Sequence, residues 1–424
     1  MAVISLKQNH ISMKDCKMKK LLELGDHYVS DFLKPDAEMR ETKPWSLDLY
    51  LDEEIGAARL DGVAPLDKMY GQYWYRSGIN ASMTKQLGDI VDEITGRVKI
   101  ENGDVWLDIA CNDGTLLRQV PENMVRLGID PADASYLAES RKVATAVVQD
   151  FFTADAYDRT GYGDYKAKVV TCIAMFYDLE NPRTFIRDVH SILADDGVFV
   201  VQMSYTPLML KQLAFDNICH EHVYYYSLSS IKKLFEAEGF VIRDCSLNDT
   251  NGGSFRVYFQ KATSDKTTFG TAPLRDVCDF RIASTLELEA NEWDISSPAL
   301  WEAFGDNIWS LKKQVMDFLH QAKAEGKKVY GYGASTKGNT LLQLFGITPD
   351  LLTAIAERSP YKFGLQTVGT NIPIISEEEM RAANPDYLLV LPWHFIDEFV
   401  KRESEFITGG GKLVVPCPTF QIIG

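Results

Sequence analysis

No run of apolar residues in this 424-residue chain approaches the ~20 needed to cross a bilayer as a helix. The chain has no Cys-x-x-Cys pair, and its seven cysteines are scattered and odd in number. That pattern reads as reduced thiols, mostly small core residues, and not as a disulfide framework. Basic residues are in deficit, 44 Lys and Arg against 60 Asp and Glu, for a net charge of -16. Nucleic acids and anionic membranes need clustered cations, so neither is an expected partner. A small anionic ligand is still permitted, because backbone N–H groups at one helix N-terminus can hold it. Met1 to His10 lack the basic, apolar and small-residue segments of a secretory leader, so a cytoplasmic location is expected.

What is there is a soluble globular composition, 46% hydrophobic and 25% charged, in a chain too long for one ordinary core. Residues 1–70 read as a small, irregular lobe with little core of its own. Residues 71–265 begin with the aromatic cluster Tyr73-Trp74-Tyr75-Arg76, and a helix is expected from Ala81 to Ile94. Strands at Val105–Ala110, Val125–Ile129, Val147–Val148, Lys168–Ala174 and Val198–Met203 alternate with helical segments. This is the pattern of a doubly wound parallel α/β sheet. Residues 266–424 are first helical, then open a second strand-turn-helix unit at Lys328–Asn339 with partner strands near 352–356, 387–391 and 412–415.

Ligands of such sheets sit outside the carboxyl ends of the strands. The first strand ends in Asp108-Ile109-Ala110-Cys111-Asn112-Asp113-Gly114, which has one glycine and so is not a Gly-x-Gly-x-x-Gly pyrophosphate cradle. Carboxylates and an amide there suit a cationic amino group. Asp130 ends the second strand, where an acid bonds a ribose diol. Asp150-Phe151 offers an acceptor for an exocyclic amine and a face for a flat ring, and Met175-Phe176 follows the fourth strand. Together these describe a site for S-adenosylmethionine. The later turn, Gly331-Tyr332-Gly333-Ala334-Ser335-Thr336-Lys337-Gly338-Asn339, instead suits a phosphate or diphosphate, through glycine backbone and the donors of Ser335, Thr336 and Lys337. Between the two units lies Cys219-His220-Glu221-His222-Val223-Tyr224-Tyr225-Tyr226, dense in groups able to move a proton.

These motifs resemble the sugar-nucleotide C-methyltransferases, which methylate a carbon of a nucleoside-diphosphate-linked 4-keto-6-deoxyhexose. The resemblance runs from about residue 70 to the end, through Tyr73–Gly78, Leu107–Gly114, Cys219–Leu228, Asn251–Arg256, Gly331–Asn339, Tyr361–Gly364 and Gly369–Ile374. It implies a class I (Rossmann-like) methyltransferase domain, a second Rossmann-like domain contributing to acceptor binding, and a zinc-type lobe. S-adenosyl-L-methionine is the implied donor and S-adenosyl-L-homocysteine the product. It further implies His222 as the base that removes the α-proton, with Glu221 orienting it or contacting a sugar hydroxyl. His220, Tyr75 and Cys219 stand next to the charge that develops. Arg76, Tyr225, Asn251, Gly253, Ser254, Arg256, Gly331, Gly333, Ser335, Lys337, Asn339 and Lys362 are the implied acceptor-binding set. Cys219 stands where relatives often carry tyrosine.

The lobe departs from that pattern. Its zinc thiolate pairs would fall at Met13/Cys16 and Asp52/Ile55, and of these four only Cys16 is a cysteine. A structural zinc needs four ligands, so no metal is expected. O- or N-methylation of a related acceptor remains an alternative, although neither needs an α-proton base. So do an NAD-dependent oxidoreductase using Gly331–Gly338 with Glu357, and a binding protein that has lost catalysis. Composition says nothing of oligomeric state.

Overall fold

The alternating apolar runs resolve into two twisted parallel sheets and a smaller antiparallel one. The computed structural model describes residues 18–35, 43–64, 76–79 and 81–424, with Ile79 and Asn251 described in backbone only. The first sheet has seven strands in the spatial order Ala146–Val148, Val125–Ile129, Val105–Ile109, Ala167–Ile173, Leu193–Ser204, Ser254–Lys261 and Phe240–Asn248. The first five run parallel, and Ser254–Lys261 runs antiparallel to both of its neighbours. Strand order reverses between Val105–Ile109 and Ala167–Ile173, which opens a crevice at their carboxyl ends.

Helices cover both faces, so Val105–Ile109 is buried along its whole length, as a parallel strand must be. On one face the helix Ala81–Arg97 lays Leu87, Ile90, Val91 and Ile94, spaced three or four apart, on Trp106, Val169 and Val200. On the other, Phe185, Ile186, Val189, Leu234 and Phe235 pack on Leu107, Val170 and Phe199. The second sheet has six strands, Ile374–Ser376, Ile355–Glu357, Val329–Tyr332, Tyr387–Val390, Lys412–Val415 and Gln421–Ile423, the last one antiparallel. Two long helices precede it, Ala272–Asn291 and Pro298–Ala324. Glu289 of the first is buried, and its carboxylate accepts the N–H groups of Leu228 and Ser229 at the start of the helix Leu228–Glu236.

The N-terminal lobe is more regular than its composition suggests. Lys19–Leu22, Leu49–Asp52 and Ala57–Leu60 form an antiparallel sheet whose fourth strand, Tyr224–Tyr225, comes from the histidine-rich stretch. The expectation of little core holds only for the lobe taken alone. Leu21, Leu22, Leu49 and Leu60 share one apolar cluster with Trp301, Phe304 and Ile308 of the long helix and with the second sheet. Phe32–Leu33 also pairs with Gln366–Thr367. The lobe is thus built into both α/β units, because a sheet this small cannot bury its apolar face by itself.

Candidate functional site

The turn after Val105–Ile109 lies at the switch point. Its backbone is left-handed at Ala110 (φ 61°), Asn112 (φ 49°) and Gly114 (φ 74°). Every second residue therefore follows a glycine path although only one is glycine, and a side chain in that region costs ~1–2 kcal/mol per residue. Strain of this kind persists where the surroundings over-determine it, commonly at ligand sites. At Gly114 a Cβ would lie 2.8 Å from Ser140 Cα, so helix and turn are in backbone contact. Asp130 fixes the path: its two oxygens accept the N–H groups of Asn112 and Ala132, both at 2.7 Å, and burial raises its carboxyl pKa.

Several expected donor ligands do other work. Asn112 Oδ1 accepts the Ser77 N–H at 3.2 Å and Asp113 Oδ2 the Gly78 N–H at 2.9 Å, while Asp113 Oδ1 takes the Thr115 hydroxyl at 2.6 Å. These side chains tie Ser77 and Gly78 over the turn. Asp108 faces the interior, where it accepts the Thr171 hydroxyl at 2.7 Å and burial raises its pKa to about 7. Phe176 is fully buried among Phe185, Tyr226 and Phe235, so it is a core residue, with half-buried Met175 packed beside it. Asp150 does lie at the rim, paired with Arg159 at 2.6 Å, and beside it the Phe151 ring is 48% exposed, open to a flat partner. Arg76, assigned to the acceptor, instead stacks on Tyr136 on the donor side with its guanidinium 4.0 Å from the ring centre.

The histidine stretch forms a turn. His222 N–H donates to Cys219 O at 3.1 Å. An extended course would have aligned His220 with His222, but the turn sends them apart. His220 Nε2 donates to Trp45 O of the lobe at 3.0 Å, and burial lowers its pKa to about 4. His222 Nδ1 lies 2.7 Å from Asn217 O. A carbonyl can only accept, so Nδ1 carries the hydrogen and Nε2 keeps its lone pair. Among the described residues Nε2 has no hydrogen-bond partner, and the ring packs on Tyr177 at 4.1 Å between centroids. Burial first, and then the nearby Lys337 ammonium, lower the His222 pKa to about 3, so the imidazole is neutral at neutral pH.

Glu221 is a half-buried residue whose Oε2 is enclosed without a hydrogen-bond partner among the described residues, and burial raises its pKa. It lies beside the Cys219 thiol, which burial and then the Glu221 carboxylate push well above its usual range. Cys219 therefore stays a protonated, weak donor. The Tyr225 hydroxyl is also buried.

The glycine-rich turn of the second sheet is filled by its own chain. A Cβ at Gly331 would sit 2.8 Å from Ile355, and one at Gly333 2.6 Å from Pro392, so both glycines serve packing. Ser335 caps the helix Thr336–Phe345 through the Gly338 N–H at 2.9 Å, and the Glu357 carboxylate accepts the Ala334 N–H at 2.9 Å. An acid thus occupies the place expected for an anion. Lys337 leaves the turn and donates to Asn217 Oδ1, two residues before Cys219. Asn339 reaches the lobe at Asp31 O (3.2 Å) and Lys362 turns back to Ala334 O (2.7 Å). Arg256 is buried between Gln202 (2.9 Å) and Glu93 (2.7 Å), and Gly253 and Ser254 shape the turn before Ser254–Lys261. These placements share one cause: polar groups at a junction of buried elements find internal partners first. Tyr75 and the Asn251 side chain lie outside the described residues.

Asp216, Asn217, Tyr177, Trp393 and His394 were not singled out by sequence. Trp393 Nε1 donates to Asp216 Oδ2 at 3.0 Å. Tyr177 and His394 each follow a parallel strand at its carboxyl end, a position that could have flagged them. A cavity of about 240 Å³ opens at His394, lined also by Ser82, Met83, Gln86, Asp249, Thr250, Phe395, Asp397 and Glu398, with three carboxylates and no lysine or arginine among these residues.

The described half of the lobe does not fit zinc. Asp52 Oδ1 accepts the N–H groups of Glu54 (3.1 Å) and Ile55 (3.4 Å), and Ile55 is buried in the apolar core. Among the described residues no three His, Cys, Asp or Glu side chains group to hold a metal, and no helix is long and apolar enough to cross a membrane.

The family described as "Methyltransferase domain" matches residues 79–244, and that described as "C-methyltransferase C-terminal domain" matches residues 249–418. The C-methyltransferase NovU of Streptomyces niveus is 29% identical over 381 residues, covering 89% of this chain and 87% of that protein. Among solved structures, an S-adenosylmethionine-dependent methyltransferase of Clostridium acetobutylicum aligns at TM-score 0.31 and 14% identity, over 42% of this chain and 92% of that one. The YcgJ protein of Bacillus aligns at TM-score 0.33 and 14% identity, over 42% and 98%. Superpositions at those scores carry no weight for function.

Proposed function

We propose that this chain, a SAM-dependent C-methyltransferase homologous to NovU, methylates the carbon beside the carbonyl of a nucleotide-linked 4-keto-6-deoxy sugar. Its first sheet is that of a class I methyltransferase, and its second is a further doubly wound α/β unit. The reading rests on one observation: His222 is held neutral, with Nδ1–H tied to Asn217 O and Nε2 without a hydrogen-bond partner among the described residues. A saturated carbon has no electron pair to offer a methyl group, but a carbon next to a ketone does once a base removes its proton.

His222 Nε2 takes that proton; the C–H pair becomes a C=C bond and the carbonyl π pair moves to oxygen. Bound donor supplies an electrophilic methyl, whose C–S pair leaves with sulfur as S-adenosyl-L-homocysteine forms. Glycine-path backbone at Ala110–Gly114, the ties of Asp130 and the strap at residues 76–79 hold the donor end in place. The open Phe151 ring offers a stacking face at the rim. Tyr177, packed on His222, orients the base.

A keto acceptor without a diphosphate is the second reading, favoured by the filled turn at Glu357 and the carboxylate-lined cavity. We further propose that the lobe works without zinc and the enzyme in the cytoplasm. The test is incubation with SAM and a panel of keto sugars, nucleotide-linked and free, in D₂O. Exchange at the α-carbon without SAM, methyl transfer with it, and loss of both in His222→Ala are expected. Exchange that survives in His222→Ala removes the base, and methylation of a substrate with no ketone removes the carbon chemistry.

A further inference from the structure

The carbonyl that fixes the His222 tautomer belongs to a very short element. Phe215–Asn217 is a single turn of 3₁₀-helix, with the Asn217 N–H on Ala214 O at 3.1 Å and the Ile218 N–H on Phe215 O at 2.9 Å. Such a turn holds itself poorly, because its hydrogen bonds are badly aligned and its side chains eclipse. The chain approaches it through Leu213 in the left-handed region (φ 51°). A bulky side chain stays there only where its surroundings hold it.

The second α/β unit supplies a hold at all three positions. The Phe215 ring stacks on Phe345 with 5.3 Å between centroids. Asp216, fully buried, accepts the Trp393 indole N–H on Oδ2 at 3.0 Å. Asn217 Oδ1 accepts from the Lys337 ammonium. Phe345 and Lys337 lie on one helix, Thr336–Phe345, and Trp393 follows the strand Tyr387–Val390. Trp393 is in turn packed against the first unit, where a Cβ on Gly252 would meet its ring at 3.3 Å. What the turn then presents is Asn217 O, to which His222 Nδ1 donates at 2.7 Å. Of the three grips, that of Trp393 has the least slack. Stacked rings can slide and a lysine stem can bend, whereas the indole N–H is fixed in a rigid ring and both it and Asp216 are buried.

We propose that Trp393 is a positioning residue for the base: through Asp216 it fixes the turn whose carbonyl keeps the hydrogen on His222 Nδ1 and the lone pair on Nε2. The inference rests on His222 being the base, as read above. Neither Trp393 nor Asp216 exchanges a proton with the acceptor. The partner of one ring nitrogen decides the state of the other, so holding that carbonyl still holds the base ready.

Two variants separate the hydrogen bond from the residues that make it, with SAM binding by calorimetry as the control for folding. Trp393→Phe keeps a ring and removes the N–H, while Asp216→Asn keeps an oxygen that can accept it. Imidazole nitrogen NMR of the full chain reads the His222 tautomer, its signals assigned by their loss in His222→Ala. Wild-type protein should show Nδ1–H alone, and Trp393→Phe a mixture of Nδ1–H and Nε2–H. α-Proton exchange of a keto sugar should fall by up to ~100-fold in Trp393→Phe, the cost of a displacement of about 1 Å. Asp216→Asn should keep the tautomer and recover most of that rate. An unchanged tautomer in Trp393→Phe overturns the proposal, as does a mixture in Asp216→Asn, or a shifted tautomer with exchange at the wild-type rate. If Trp393→Phe binds no SAM, Asp216→Asn decides alone by the same reading. If the tautomer shifts as expected but wild-type protein exchanges no ketone, the base reading fails and the hold of Trp393 on the ring stands.

Discussion

Two strand-to-helix turns at the carboxyl ends of the two sheets invert what their sequences advertise. Gly331–Asn339 is rich in glycine and looks made for an anion, whereas Ala110–Gly114 has a single glycine and looks unsuited to a close backbone approach. In the folded chain the poor turn follows a glycine path at three alternate positions. The rich turn spends its glycines on contacts with Ile355 and Pro392 and admits the Glu357 carboxylate. Glycine marks where a side chain cannot fit; it does not say whether the obstacle is a ligand or the protein itself.

A matched pair of substitutions offers the hardest test of that contrast. Gly114→Ala and Gly333→Ala both force a Cβ into occupied space at positive φ (+74° and +83°). Each should cost ~2–4 kcal/mol of stability, read as a fall in Tm. Only Gly114→Ala should weaken SAM binding, by tenfold or more in calorimetry. Equal losses of SAM affinity in the two variants would erase the contrast.

The junction between the units should show in acid. His220, His222 and His394 are depressed to about 4, 3 and 3, each chiefly by burial. An unfolded chain takes up these protons near the ordinary ~6.5, so stability that is complete above that pH is lost as pH falls toward 4. Tm should decline across that window, and His394→Asn should flatten the decline. An unchanged slope in that variant would take His394 out of the account.

Zinc sets the next expectation. Dialysis against a chelator should leave Tm and SAM affinity unchanged, since Asp52 and Ile55 are spent on turn and core. One mole of zinc per chain by elemental analysis would reverse that reading. The smallest effect belongs to Ala110→Gly. Relief of a left-handed alanine, ~1–2 kcal/mol, is offset by ~0.5–1 kcal/mol of glycine chain entropy, for a net gain of up to ~1 kcal/mol in chemical denaturation. A clear loss of stability would mean that the alanine methyl does packing work there.

The sequence by itself determined the order of elements, since period-2 and period-3.6 apolar patterns are local and survive without knowledge of the fold. It also singled out His222, because few segments carry so many proton-moving groups together. Tertiary structure alone decided which polar groups are free to act. Asp108, Asn112, Asp113, Arg256 and Ser335 are engaged by partners between 2 and 163 positions away, and Lys337 donates to an amide 120 positions away. A buried donor or acceptor left unpaired costs ~1–3 kcal/mol, so the fold pairs what it can and leaves little open. His222 Nε2 has no hydrogen-bond partner among the described residues, and only the position of Asn217 O five residues earlier reveals which ring nitrogen carries the proton.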